Sequence, residues 1–166
     1  KIHRELERNI QASNGDSCMK IYITFNSDNK MGDYTHINFT SFNDNWHDVL
    51  HASVEDAEAT DVVVDGVLSY LALEDASAFL HAVARKLRHK GCLTVHGVNA
   101  YEVAKDFAQY KLTIEQFNQL MYGVNGEQRS GITLAGLREF LRDELSLTIV
   151  RQSVDQYHYV VEAQRP

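Results

Sequence analysis

Asp61-Val62-Val63-Val64-Asp65 places three adjacent valines between two acids, and no other stretch limits the fold of this chain so tightly. Successive side chains of a strand point to opposite faces. An unbroken apolar β-branched run is therefore buried on both sides, as in a parallel sheet covered by helices. The period then changes. Ala76, Phe79, Leu80, Val83, Ala84 and Leu87 follow an i, i+3, i+4, i+7 rule and predict an amphipathic helix from about Asp75. Gly91 is the expected left-handed stop of that helix, and Cys92-Leu93-Thr94-Val95-His96 is the next strand. Strand, helix and strand in this order form a crossover unit whose two strands lie parallel.

The flanking sequence extends the same plan. Lys20 to Phe25 is apolar, β-branched and aromatic, and stops at Asn26-Ser27-Asp28-Asn29, which predicts a buried strand. Tyr34 to Thr40 is a second strand candidate, followed by a polar loop from Ser41 to His47. Thr113-Ile114-Glu115-Gln116 has capping-box spacing and opens a helix through Phe117, Leu120 and Met121, ending at Gly123. Another helix is expected from Thr133, with Leu134, Leu137, Phe140 and Leu141 on its buried side. Leu145 to Val150 and Tyr157 to Ala163 read as two strands of an antiparallel hairpin. The only proline is Pro166, so none interrupts these elements. The expected architecture is one three-layer α/β domain over residues 19–166. Residues 1–18 read as an extension or linker, whose Ile2, Leu6 and Ile10 share a helical face before Asn14-Gly15-Asp16.

Composition narrows the partners. A formal net charge of −7 argues against general binding to a phosphate backbone. The one dense basic cluster, Arg85, Lys86, Arg88, His89 and Lys90, falls at a predicted helix end, where cations meet the negative end of the dipole. Two cysteines, Cys18 and Cys92, supply no disulfide framework and suit a reducing, cytoplasmic setting. No apolar run approaches the roughly 20 residues that span a bilayer. His47-Asp48-Val49-Leu50-His51 puts two histidines on one helical face, but it lacks the glutamate and the third ligand of a zinc-protease helix, so no metal is expected. The carboxylates of the first half, including Asp28, Asp33, Asp44 and Asp61, read as a solvated rim. An exposed edge at the terminal hairpin could support a homodimer.

Three local patterns, in this order of elements, resemble class I S-adenosylmethionine (SAM) dependent methyltransferases. Asp65-Gly66-Val67-Leu68-Ser69-Tyr70-Leu71 resembles the stretch after that family's fourth strand, where VLEH often occurs. Arg85 to Val95 is similar to its RVLKPGGxLxI helix-to-strand turn. Leu120-Met121-Tyr122-Gly123, the helix from Thr133 and the final hairpin resemble its late YG…FT…LL segment. The resemblance covers Met19 to Arg165. It implies a Rossmann-like sheet, mostly parallel and ending in an antiparallel pair, with SAM as cofactor.

In the short-looped branch of that family the first strand leads into a GCG turn. The second ends in an acid within GYxNxD. Glycines there let backbone amides approach the cofactor, and the acid can accept both ribose hydroxyls. Here Thr24, Phe25 and Asn26 stand at the glycine turn, Gly32 to Asn38 resembles the second motif, and Asn38 replaces the acid. The positions carried over as cofactor-binding are Thr24, Phe25, Asn26, Asn38, Gly66 and His51, the last for the adenine. His96, at the end of its strand, is the candidate general base. Tyr70 is the second candidate catalytic residue, with Asn99 and Tyr101 near the same mouth. Loss of the glycines and the acid implies weak or lost cofactor binding, and hence a binding or assembly module with a protein partner. The alternative is an active methyltransferase acting on a small molecule or glycan precursor.

Overall fold

The computed structural model describes residues 18–41 and 45–166. The helical face through Ile2, Leu6 and Ile10, its stop at Asn14-Gly15-Asp16, and Asp44 lie outside the described residues. A six-stranded sheet has the order β2-β1-β3-β4-β6-β5. Its strands are β1 (Met19–Phe25), β2 (Thr35–Phe39), β3 (Ala59–Asp65), β4 (Leu87–Val98), β5 (Thr148–Asp155) and β6 (His158–Gln164). The first four run parallel to their neighbours, and β6 pairs antiparallel with both β4 and β5. This is a Rossmann-like α/β sheet, mostly parallel, that ends in an antiparallel hairpin.

The valine run behaves as its pattern requires: Val62, Val63 and Val64 are all buried at the centre of the sheet. In-register partners share a face, so Ile21, Ile23, Ile37, Val62, Val64, Leu93, Val95 and Val161 line one side. Against that side pack Leu50 of α1 (Trp46–Ser53), Phe79, Leu80 and Val83 of α2 (Leu73–Lys86), and Leu137 of α5 (Leu134–Glu139). Phe79 is fully buried and meets the rings of Phe39 and Trp46 edge-on, tying α2 to both β2 and α1. The opposite face carries Tyr22, Thr24, His36, Asn38, Asp65 and His96. One side of the sheet is thus a hydrophobic core, while the other holds the polar residues that reach the strands' carboxyl ends.

The remaining helices are α3 (Ala100–Ala108) and α4 (Ile114–Tyr122). In α4 both halves of the capping box form: the Thr113 hydroxyl accepts from the Gln116 amide, and the Gln116 side chain accepts from the Thr113 amide. After α5 a π turn, Phe140–Glu144, buries Leu141 before the hairpin. The hairpin is shifted from its expected bounds: β5 starts at Thr148 and runs to Asp155, and Gln156, with φ 51°, helps turn the chain. The sequence reading left α3 out. No helix among the described residues is long and apolar enough to cross a membrane.

Gly91 is not the helix stop. Helix α2 ends at Lys86 and Leu87 is already extended, while the left-handed residue of the turn is Lys90, with φ 61°. Gly91 is needed for space instead, because a Cβ there would lie 2.9 Å from the carbonyl oxygens of both Ala59 and Arg88. Of the basic cluster, Arg85 and Lys86 do fall in the last turn of α2, but Lys86 is turned inward. Lys86 is buried, donating to Asp56 at 2.7 Å and lying 2.8 Å from His51 Nδ1, and Arg85 pairs with the same aspartate.

Candidate functional site

The switch in strand order falls between β1 and β3, where connections leave the sheet in opposite directions. Open α/β sheets gather ligands outside the carboxyl ends of their strands at such a point. Seven of the eight candidate residues meet there: Thr24, Phe25, Asn26, Asn38, Gly66, Tyr70 and His96. His51 does not. It sits beside Lys86 and Asp56, which precede β4 and β3 and so mark the amino end of the sheet. Helix α1 carries the chain back from the carboxyl end of β2, and His51 lies in its last turn. The His47 and His51 rings do lie 4.4 Å apart, tilted at 48°, but no group of three or more His, Cys, Asp or Glu side chains able to hold a metal exists among the described residues.

The turn after β1 is left-handed at a residue that is not glycine. Asn26 adopts φ 45° and its amide donates to Phe39 O at 2.8 Å, closing β1 onto β2. Asparagine is among the few non-glycine residues that enter this left-handed region at low cost. Gly66, at φ 69°, makes the matching turn after β3 and donates to His96 O at 3.1 Å. Beneath them Thr24 is buried. Its hydroxyl donates to Asn38 Oδ1 at 3.1 Å and lies 2.7 Å from His36 Nε2, which with one hydroxyl hydrogen makes His36 the donor. The Ser27 amide also donates to Asn38 Oδ1, at 3.2 Å. The amide oxygen standing where the family has a carboxylate is therefore engaged by its own loop.

Phe25 ends β1, and Tyr70 ends the 3₁₀ turn Leu68–Tyr70 that follows β3. Their rings stack across the switch point with centroids 4.1 Å apart and 24° between planes. The stack is a shared wall of two hollows. One, of about 350 Å³, is lined by Asn26, Thr40, Ser41 and Arg129. The other, of about 340 Å³, is lined by Asp65, Gly66, Ser69, His96, Gly97 and Tyr159.

His96, the residue expected as a general base, has a carboxylate beside it. Its Nδ1 lies 3.6 Å from Asp65 Oδ1, in ion-pair range, and Tyr22 donates to Asp65 Oδ2 at 2.5 Å. The neighbouring imidazole of His96 holds the Asp65 carboxyl below the usual aspartate range. Desolvation opposes this, and the Tyr22 hydroxyl adds to it. Burial, aided by the hydrogen bond to Asp65, pushes the Tyr22 phenol up to about 12. Both shifts carry a sign for stability. Asp65, depressed, contributes stability that is present above the ordinary aspartate range and lost as pH falls through its lower folded value. Tyr22, raised, contributes stability that is complete below about pH 10 and lost as pH rises towards 12. Tyr22→Phe is therefore expected to shrink the alkaline loss of unfolding free energy between pH 10 and 12 by an amount on the order of 2 kcal/mol, read by urea denaturation followed by circular dichroism.

Asp65 and Tyr22 were missed as site residues in the sequence. Asp65 was visible at the end of the valine strand, whereas Tyr22 looks like any buried strand aromatic. Asn99 is buried and its Oδ1 accepts from the Leu134 amide at 3.2 Å, so it links the α3 and α5 starts; Tyr101 is exposed.

No family model matches the chain, and no curated protein matches it by sequence. Its fold does match solved structures. A SAM dependent methyltransferase from Archaeoglobus fulgidus superposes with TM-score 0.55 at 10% identity, over 99% of this chain and 93% of that one. An O-methyltransferase family protein from Burkholderia thailandensis gives TM-score 0.56 at 12% identity, over 99% of this chain and 56% of that one. The chain spans 35% of the length of an O-methyltransferase family 2 protein from Planctomyces limnophilus, solved with apigenin (13% identity, 80% of this chain, TM-score 0.48). At such identities the likeness speaks for the fold alone. With the strand order and the closing hairpin, the first two matches give the chain the class I SAM-dependent methyltransferase fold.

Proposed function

We propose that this chain is a methyltransferase-fold binding module in which two of its own side chains stand where the family holds SAM. The Phe25–Tyr70 stack carries this reading. Rings at 4.1 Å leave no room for a ligand between them, and they divide the crevice that a cofactor would cross. The second support is Asn38, whose carbonyl already accepts two hydrogen bonds from within the protein. It also lacks the charge-assisted acceptor strength of a carboxylate towards ribose hydroxyls. The residues present do not fit SAM in the family's manner, so no methyl-transfer step is assigned to them.

Calorimetry with SAM and S-adenosylhomocysteine tests the reading. The native chain is expected to give no binding heat for either at millimolar concentration, and micromolar binding of either would overturn it. The second reading, an active methyltransferase acting on a small molecule or glycan precursor, is favoured by the Asp65–His96 pair. A histidine steadied by a carboxylate is the usual form of a general base. Micromolar binding of SAM would restore it.

A further inference from the structure

The hollow on the β4–β6 side of the Phe25–Tyr70 stack contains a polar group that its surroundings leave unused. Tyr159 is 1% exposed, yet its hydroxyl makes no hydrogen bond among the described residues. Burial alone pushes its phenol above the ordinary tyrosine range, with no partner contributing. The hydroxyl lies at the cavity wall with no described side chain bonded to it, so its donor and acceptor sites are open to a molecule in the cavity. The phenol is held there by a glycine: a Cβ on Gly97 would lie 2.5 Å from the Tyr159 oxygen. Space that one residue gives up for another's hydroxyl is a built feature.

The rest of the lining defines the ligand's chemistry. Asp65, His96, Ser69 and Gln128 bring hydrogen-bonding groups to the cavity, and Phe25 and Tyr70 give it an aromatic wall. No lysine or arginine lines it, and Asp65 is held charged by His96 and Tyr22. An anion would meet a carboxylate with no fixed cation to offset it. At about 340 Å³ the hollow is at the small end of ligand pockets. We infer that this cavity binds a small uncharged polyhydroxylated molecule, with the Tyr159 hydroxyl donating to one of its oxygens and the aromatic wall beside its apolar surface. The inference rests on the reading of the chain as a binding module and names the class of ligand that module takes.

Saturation-transfer NMR with methyl α-D-glucopyranoside and with myo-inositol tests it on the intact chain, the two probes separating a pyranose from a carbocyclic polyol. At least one is expected to bind in the millimolar range. Tyr159→Phe, which removes only the hydroxyl, should weaken that binding about 10-fold. Gln128→Ala serves as the second variant, at a loop position where folding is not at stake, and should weaken binding several-fold. No transfer to either probe overturns the inference, as does full affinity in both variants. Glucose 6-phosphate binding as tightly as the neutral glycoside overturns the assignment of charge. The two readings fail separately. Micromolar SAM binding with Tyr159-dependent glycoside binding removes the cofactor argument and keeps the pocket, whereas absence of both keeps the former and removes the latter.

Discussion

The double variant Phe25→Gly, Asn38→Asp is expected to bind S-adenosylhomocysteine at least about 30-fold more tightly than the native chain, as read by calorimetry. Each change removes one identified obstacle. Without the Phe25 ring, the stack that divides the switch-point crevice is gone, while Asn26 and Gly66 already supply the left-handed turns on either side. An aspartate at 38 can still accept from the Thr24 hydroxyl and the Ser27 amide through one oxygen, as the asparagine does. Its second oxygen then replaces the amide nitrogen, turning a donor into a charged acceptor at the end of β2. Two recovered contacts at about 1–3 kcal/mol each set the size of the expected gain. If the variant folds as the native chain does and its affinity is unchanged, the obstruction lies elsewhere and the proposed role of Phe25 is wrong.

The largest loss of stability is expected at Phe79→Ala, about 3–5 kcal/mol by urea denaturation. The position is fully buried, and its ring lies edge-on to both Phe39 and Trp46. Truncation would empty a space bordered by a strand, a second helix and its own helix. Regular elements cannot easily collapse into such a gap, which places this substitution at the upper end of large-to-small costs. A loss below about 1.5 kcal/mol would show that α1 moves in to fill it.

Much of the fold was legible because its signals are local. Three valines fix the central strand, the stripe from Ala76 to Ala84 fixes α2 although Leu87 already belongs to β4, and Thr113 with Gln116 fixes the start of α4. The site was legible only in part. Asn26 and Lys90 adopt conformations usually assigned to glycine, so a reading by residue type did not mark the left-handed residue at the first and misplaced it at the second. His51 looked like an adenine contact and Lys86 like a cation at a helix end. Each is used up by the other across a sequence gap that no local pattern spans. Tyr159 lies in an ordinary alternating strand, and its unpaired hydroxyl becomes visible only beside Gly97 in three dimensions.

The insertion of β6 between β4 and β5 also orders the way this protein is made. Strands β2 to β4 can join β1 as they emerge, each beside a partner already synthesised. Strand β5 cannot, because among the described residues its only neighbour is β6, which follows it in the chain. Until β6 is complete, β4 presents an open apolar edge and β5 waits as a hairpin arm without a sheet, a state that invites pairing with other chains. Tyr159 lies on β6, so the cavity closes in the same late event: nascent chains stalled before residue 158 should have a folded parallel half and no pocket.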